Sequence, residues 1–265
     1  MLPPSPPVMT LRLAVIGVPP FADALLARCR AAGYASILLH PDDVVAGSPE
    51  FARILGRDVI LDCHHGTDKR DALGHLASVL SENTLLLTSA LPASVTLAAA
   101  RARHPQRIVG FSVIPPLQDG DLVEVARGLH TSERAFDQAV AFWRSLGLEP
   151  VEVGDGPGLV RGRVLACLVN EAIGALAEGV ASARDIDAAM KLGANYPRGP
   201  LAWGEYLGVD VIYAIMQGLY EEWREDRYRP HPLLRRLALA RRSPFDLEAS
   251  ARSAAPTALF AQQAP

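Results

Sequence analysis

The sequence predicts an α/β domain built on a parallel sheet, followed by an all-α C-terminal domain. Three observations support this prediction. Short apolar runs alternate with segments of helical spacing up to Val153, strand-like alternation is absent after Val153, and apolar residues then recur three and four positions apart. Alternation of strands with helices is typical of βαβ units, whose strands run parallel. The length of 265 residues fits one large or two modest domains.

The first half supplies the strands. The run over residues 11–16 is apolar and is closed by Gly17, and the segment 21–32 has helical spacing and stops at Gly33. Two more helices are predicted over residues 69–80 and 132–146, the second with Ser132 as a candidate N-cap. The other predicted strands cover residues 36–39, 59–61, 84–87, 108–113, 122–126 and 150–153.

The second half shows only helical spacing. Its apolar positions include Val164, Leu165, Leu168, Ala172, Ala175 and Leu176, then Ile212, Ile215, Met216, Leu219 and Trp223. Ser182 precedes Asp185, an acidic residue of the kind that the helix dipole favours in a first turn, and Gly199-Pro200 marks the break before the next helix. The predicted organisation is a disordered arm over 1–10, a sheet domain over 11–156, a helical domain over 157–249 and a loose tail over 250–265.

Composition excludes several classes of protein. The chain has 26 Lys+Arg against 29 Asp+Glu, a net charge of −3, so it has no basic excess to neutralise a nucleic-acid backbone. Its apolar runs are shorter than the roughly 18 residues of a membrane span, and the first ten residues lack the features of a secretory signal. Cys29, Cys63 and Cys167 are an odd, widely spaced set, which argues against a disulfide framework and a structural zinc site. We expect a cytoplasmic protein without a metal, nucleic-acid or membrane partner.

The segment from Asn170 to Trp223, NEAIGALAEGVASARDIDAAMKLGANYPRGPLAWGEYLGVDVIYAIMQGLYEEW, closely resembles the C-terminal domain of bacterial 3-hydroxyacyl-CoA dehydrogenases, a family that includes 3-hydroxybutyryl-CoA dehydrogenases. The resemblance extends forward to YRPHPLLRR and back through LVEVARGLHTS and RIVGFSVIPP to the first strand. It implies a Rossmann-type domain that binds NAD, followed by a helical domain that dimerises and closes the cleft for an acyl-CoA substrate. The implied reaction, in fatty-acid metabolism, transfers hydride from the 3-hydroxyl carbon of the acyl-CoA to NAD.

The turn after the first strand departs from the dinucleotide motif of that family. The three glycine sites of the motif fall on Gly17, Pro19 and Ala22. Alanine is tolerated at the third site. Pro19 places a ring where the backbone must approach the pyrophosphate, and Pro19 and Pro20 together remove two N–H groups from the turn. The alternative interpretation is that the prolines only start a helix.

The ribose position is also altered. An acidic residue is expected about 20 positions after the glycine motif, and His40 stands there. Asp42 or Asp43 would reach the ribose from a long loop, although two acids after a proline are also typical of a solvated turn or cap. The long helical arm with which the family contacts CoA is replaced by the short segment 41–58. We therefore predict weak or absent NAD binding.

The catalytic positions of the family are mostly substituted. Its catalytic histidine, in a His-Phe-Phe-Asn-Pro run, falls on Ser112, which cannot act as a base near neutral pH without a base of its own. Glu124 stands where the glutamate that orients this histidine is expected, and its alternative interpretation is a strand-end carboxylate that caps or pairs. The asparagine that helps to polarise the substrate oxygen, in a Phe-Ile-Val-Asn-Arg run, falls on Gly162.

The serine of the family can be placed in two ways. An alignment without gaps puts Ser89 on the asparagine of an Asn-Thr-Ser-Ser motif and Leu91 on its serine. A shift by two residues keeps Thr88 and Ser89 at the cost of two indels. We prefer the gapless alignment, which leaves Glu124 as the retained catalytic position.

His64 and His65 follow Asp62 at the C-terminal end of a predicted parallel strand, which is the edge where ligands bind in open α/β sheets. This pair suggests a new base or a metal-binding pair, and ordinary loop histidines are the alternative. Adjacent residues at a strand end point apart, so at most one of the two is expected to face the cleft.

The sequence is compatible with two functions. The chain is either a dehydrogenase of this class with weak or lost hydride transfer, or a non-catalytic binding or partner subunit that pairs through its helical domain, as a homodimer or with a related dehydrogenase. Retention of the helical half beside the substituted catalytic residues favours the second. The apolar stripe of Ile212, Ile215, Met216 and Leu219 predicts a homodimer because it must be covered, with coverage inside one chain as the alternative.

Overall fold

The computed structural model describes residues 11–44 and 49–247. The predicted arm over 1–10 and the predicted tail over 250–265 lie outside these residues. The strands are β1 (Arg12–Gly17), β2 (Ala35–Leu39), β3 (Val59–Cys63), β4 (Leu85–Ser89), β5 (Ile108–Ser112), β6 (Leu122–Arg127) and β7 (Glu149–Val153). The helices are α1 (Phe21–Ala31), α2 (Lys69–Val79), α3 (Val95–Ala98), α4 (Glu133–Ser145), α5 (Arg161–Ala177), α6 (Ala183–Gly193), α7 (Pro200–Leu207), α8 (Val209–Trp223) and α9 (Pro232–Ala240). These elements confirm the predicted α/β half and the predicted helical half.

The described strands form one sheet in the order β2-β1-β3-β4-β5-β6-β7. The chain runs outward from β1 to β2 and then crosses back to β3 on the other side of β1. Such a reversal creates a crevice outside the carboxyl ends of β1 and β3, the place where open α/β sheets bind ligands. The turn after Gly17 and the loop after Cys63 form the two sides of this crevice.

One strand pair departs from the predicted parallel arrangement. β5 and β6 are antiparallel, with Ser112 opposite Glu124. The connection between them spans only residues 113–121, which is shorter than the dozen or more residues that a parallel crossover requires. The other strand pairs of the described sheet are parallel.

The predicted helix signals are confirmed. The hydroxyl of Ser132 accepts a hydrogen bond from the backbone N–H of Ala135, and Ser182 does the same for Asp185, so both serines are N-caps. Helix α7 begins at Pro200, directly after Gly199. No helix in the described ranges combines the length and apolar composition needed to cross a bilayer.

The apolar stripe on α8 is covered inside the single chain, so the argument for a dimer from this stripe is wrong. Ile212, Ile215, Met216 and Leu219 are each at most 2% exposed. Helix α8 packs against both α5 and α9, and its stripe joins one apolar core with residues of those helices. The spacing of apolar residues indicated that one face of α8 must be buried. It did not indicate that α5 and α9 of the same chain bury it, because that depends on the tertiary packing.

Candidate active site

The turn between β1 and α1 keeps the packing of a dinucleotide fold. A Cβ atom placed on Gly17 would lie 2.7 Å from Cβ of Cys63 on β3 and 3.1 Å from Cβ of Ala22. Ala22 itself is fully buried. A side chain at Gly17 would push β1, β3 and α1 apart, and Ala22 keeps the close packing of helix against strand that the motif requires at its third site.

The same turn does not fit a pyrophosphate. Pro19 and Pro20 carry no N–H group, and the N–H of Ala22 donates to the carbonyl of Val18 at 3.2 Å. The exposed carboxylate of Asp23 lies in the first turn of α1, where a bound anion would gain from the helix dipole. The turn therefore offers few free N–H donors to a pyrophosphate. The negative charge of Asp23 would also repel the phosphates of a dinucleotide.

The ribose position holds a capped turn. Nδ1 of His40 accepts a hydrogen bond from the N–H of Asp42 at 3.3 Å and lies 3.5 Å from the carboxylate of Asp42. The side chain of Asp42 is 90% exposed. Asp42 is thus part of a short 3-10 turn, Pro41–Asp43, which agrees with the solvated-turn interpretation of the two acids.

The two sides of the crevice are in contact through aromatic rings. Phe21, the first residue of α1, packs edge-on against His65 with ring centroids 4.4 Å apart. Nε2 of His65 lies 2.9 Å from the hydroxyl of Ser89 at the end of β4. His65 and Ser89 are both buried, so these three side chains fill the crevice between the β1–α1 turn and the end of β4.

His65 is held neutral. Burial, reinforced by the positive charge of Lys69, lowers the pKa of His65 to about 3. Its Nδ1 atom has no hydrogen-bond partner among the described residues. An imidazole with so low a pKa is a weak proton acceptor at neutral pH, which argues against His65 as a replacement base.

His64 belongs to a different cluster. Its Nε2 lies 2.7 Å from Asp68, and its backbone N–H donates to Asp62 at 3.0 Å. The two histidines therefore point apart, as predicted. Within the described residues, no three His, Cys, Asp or Glu side chains are placed to hold a metal ion.

A buried ion pair lies beneath these histidines. Nζ of Lys69 donates to Asp62 at 2.6 Å and to the carbonyl of His64 at 2.9 Å, and the hydroxyl of Thr88 donates to the same carboxylate at 2.7 Å. Burial alone raises the pKa of Asp62, but Lys69, His64 and Thr88 outweigh it and hold that pKa below its usual value. The sequence analysis missed this network, although a carboxylate ending one buried strand and a lysine starting the next helix are a signal for it.

Ser112 and Glu124 lie side by side across the antiparallel pair of β5 and β6. Both side chains are almost fully buried, and the Ser112 hydroxyl and Oε2 of Glu124 have no hydrogen-bond partner among the described residues. Oε1 of Glu124 accepts the backbone N–H of Arg161 at 3.0 Å and lies 3.8 Å from its guanidinium. Glu124 therefore pairs with the first residue of α5, as the capping interpretation expects.

Gly162 lies next to Leu91, so that any side chain at position 162 would contact this leucine. A Cβ atom built on Gly162 would be 2.5 Å from Cδ2 of Leu91, and Leu91 is only 1% exposed. Leu91 stands at the position of the family's serine, and Gly162 stands at the position of its asparagine. The side chain of Leu91 thus occupies the space that a side chain at position 162 would need. The structure brings Leu91, Gly162, Ser112 and Glu124 together around the start of α5, whereas the hydroxyl of Ser89 bonds to His65.

A cavity of about 660 Å³ opens beside the start of α5. Its walls come from the loop after β5, the first half of α5 and the segment that leads into α7. The lining residues are Ile114, Pro115, Pro116, Leu117, Asp121, Val160, Arg161, Val164, Leu165, Leu168, Tyr196, Pro197, Pro200 and Trp203. The sequence analysis did not identify Arg161 as a residue of the cavity wall. A signal was available, because Arg161 places a charge where the Phe-Ile-Val-Asn-Arg run of the family has valine.

Comparison with known families places both halves of the chain. Residues 158–245 match the family described as 3-hydroxyacyl-CoA dehydrogenase, C-terminal domain, and residues 46–156 match its NAD binding domain. The second match begins after β2, so the turn that contains Pro19 and Pro20 lies outside the matched residues.

Individual relatives agree with this placement. The chain is 37% identical to 3-hydroxybutyryl-CoA dehydrogenase of Clostridioides difficile over 208 residues, which cover 78% of this chain and 73% of that protein. It is 39% identical to a probable 3-hydroxybutyryl-CoA dehydrogenase of Bacillus subtilis over 65% of this chain and 60% of that protein. The crystal structure of (S)-3-hydroxybutyryl-CoA dehydrogenase from Ralstonia eutropha superposes with a TM-score of 0.67 at 26% identity, covering 87% of this chain and 94% of that one.

Proposed function

The chain belongs to the 3-hydroxyacyl-CoA dehydrogenase family, and we propose that it is a member whose NAD-dependent oxidation of 3-hydroxyacyl-CoA is weak or lost. The observation that supports this most directly is the pairing of Ser112 with Glu124. The family reaction needs a base that removes the hydroxyl proton, and a serine without a base of its own does not supply one near neutral pH. Glu124 is instead paired with Arg161.

The cofactor side of the crevice supports the same proposal. Among the described residues, those around the β1–α1 turn do not fit a bound dinucleotide, because two prolines replace donors and the Phe21–His65 contact closes the crevice. The match to the family's NAD binding domain begins only at residue 46, after that turn, so the hydride-transfer activity of the relatives does not carry over to this chain without a test.

The test is reduction of acetoacetyl-CoA by NADH, followed by NADH absorbance, with the Clostridioides difficile enzyme as positive control. We expect turnover at or near the detection limit. Ser112→His alone should not restore activity, and Ser112→His with Gly162→Asn should restore little, because losses within one catalytic unit are not additive. Turnover by the unmodified protein at about 1 s⁻¹ or more, the low end for ordinary enzymes, would contradict the proposal.

A second candidate is a partner subunit that pairs with a catalytic relative through its helical half. The observation that favours it is the continuous match to the family's C-terminal domain over residues 158–245, which includes helices α5 to α9. Pull-down of the tagged protein from its native cell, followed by mass spectrometry, distinguishes the two candidates. A related dehydrogenase should co-purify only if the second is right.

A further inference from the structure

Helix α9 has one buried apolar side and one exposed cationic side. Leu234, Leu237 and Ala238 are buried and belong to the core that α5 and α8 also form. Arg235 and Arg236 are exposed. The apolar side holds the helix in place, so the two arginines are left for solvent or for a partner.

The segment around α9 carries a local excess of positive charge, although the net charge of the chain is −3. Residues 227–242 contain six arginines and no acidic residue. Three of the six pair with acids outside the segment, namely Arg227 with Glu225, Arg229 with Asp226 and Arg242 with Asp246. Arg235, Arg236 and Arg241 have no ion pair within the described part of the chain, so their guanidinium groups are open to an external anion.

A groove of about 450 Å³ adjoins these arginines at the start of α9. Its wall consists of Leu176, Ala177, His231, Pro232, Leu233, Arg236 and Leu247. Most of these side chains are apolar, and Arg236 brings a positive charge to the edge of the groove. An apolar side chain that enters the groove leaves water, and carboxylates beside it come within reach of the guanidinium.

We propose that the groove and the adjacent Arg235 and Arg236 form a docking surface for an acidic segment of another protein. An apolar side chain of that segment lies in the groove, and its carboxylates pair with the two arginines. Guanidinium groups bind carboxylates through charge-assisted hydrogen bonds, and opposite charges across an interface steer association. The concave shape favours a polypeptide over a lipid surface, because a flat bilayer would leave the groove unfilled. This inference is independent of the proposed function, since the contact involves neither NAD nor an acyl-CoA.

The experiment is fluorescence anisotropy of the full chain with a labelled acidic peptide that carries one central phenylalanine. In a first control peptide amides replace the carboxylates, and in a second control peptide glycine replaces the phenylalanine. We expect the first control to bind at least tenfold more weakly and the second at least threefold more weakly. Added salt should weaken the binding of the acidic peptide, because ions screen exposed charges. Absence of binding, or equal affinity for the acidic peptide and its amide control, would overturn the proposal.

Variants of the chain identify the contact. Arg235→Gln with Arg236→Gln should lower the affinity for the acidic peptide at least tenfold. The matched control, Arg30→Gln with Arg103→Gln, removes two exposed arginines of the sheet domain and should leave the affinity unchanged. Because all four positions are exposed, the melting temperatures of both double variants should equal that of the wild type. Equal affinities of the two double variants would contradict a role for the arginines of α9.

A further variant tests the groove. Ala177→Trp fills the groove from an exposed position at the end of α5 without a change in charge. It should weaken binding of the acidic peptide and leave the weaker binding of the glycine control unchanged. Unchanged affinity for the acidic peptide would show that charge alone is recognised and that the groove has no part in the contact.

Two other occupants give different outcomes. If phosphatidylserine vesicles bind the wild type, the Arg235→Gln and Arg236→Gln variant releases them and the peptide does not bind, the surface recognises lipid and the proposal is wrong. If the peptide does not bind and the same variant changes the mass measured by light scattering, the surface is an interface between copies of this chain, and the proposal is again wrong. Peptide binding that requires both arginines, at an unchanged mass, supports the proposal.

Discussion

His65 shows how a single side chain of the crevice affects the whole protein. It is buried against Phe21 and Ser89, and its pKa is lowered from 6.5 to about 3 by burial and by Lys69. Between these two values the unfolded chain binds a proton that the folded chain does not, so stability rises with pH in this window. The contribution is fully present above pH 6.5 and is lost progressively as the pH falls toward 3.

The free energy of unfolding should therefore fall by roughly 2 to 3 kcal/mol between pH 7 and pH 4.5 because of this one group. Urea denaturation at several pH values measures it. The variant His65→Leu should reduce the pH dependence over that window, and His40→Asn, at a half-exposed histidine, is the matched control. Asp62 does not contribute to this window, since its pKa lies below the usual 3.8 and its stabilisation is lost only at more acidic pH. An equal slope in wild type and His65→Leu would show that the imidazole is not buried in neutral form.

The residues that the sequence located best are those whose role follows from their neighbours along the chain. Gly17 and Ala22 keep their packing roles, and His40 and Asp42 form the expected turn. The contact of His65 with Phe21 was not predictable, because it joins two loops that sequence spacing does not relate. The pairing of Glu124 with Arg161 likewise depends on α5 meeting the end of β6.

At the scale of elements, the start of α5 packs closely against the loop after β4. Gly162 is buried, and Leu91 fills the space beside it. Gly174 lies in the same helix, and a Cβ atom there would be 3.8 Å from His231, an ordinary contact. The two glycines therefore form a matched pair for measuring how tightly α5 is seated.

Gly174→Ala should stabilise the protein by up to about 1 kcal/mol, because alanine has the higher helix propensity. The free energy of unfolding of Gly162→Ala should be lower than that of Gly174→Ala by roughly 1 to 2 kcal/mol, because Leu91 must shift within a packed core. Thermal or urea denaturation gives both values. Leu91→Ala combined with Gly162→Ala should destabilise less than the sum of the single changes. Equal effects of the two glycine substitutions would contradict the packing described for α5.

The bounds of the strands and of α1, α2 and α4 were predictable to within two residues, whereas α3 was not predicted and the direction of β6 was not inferred correctly. Apolar runs reveal a buried strand but not its orientation. The length of the connection over residues 113–121 was an available signal, because a parallel crossover needs more chain. The N-caps at Ser132 and Ser182 were predictable since a cap is a local interaction between residues three apart.

At the scale of the whole molecule, we predict that the protein is a dimer. The α8 stripe is covered internally and gives no argument for a dimer. Pairing through the helical half now rests on the family, together with the exposed apolar side chains of Val180, Leu192 and Leu239, which are 70%, 87% and 72% exposed. Light scattering at micromolar concentration should give the mass of a dimer, and a monomeric mass would refute this prediction.

The central claim, that this chain keeps the family fold without a working cofactor turn, is tested most directly by calorimetric titration with NADH. Pro19 and Pro20 remove donors from the turn, Asp23 adds a negative charge, and Phe21 contacts His65 across the crevice. We predict no binding at submillimolar NADH, under conditions where the Clostridioides difficile relative serves as the positive control. A dissociation constant below 1 mM, corresponding to a binding free energy more favourable than about −4 kcal/mol, would contradict the account.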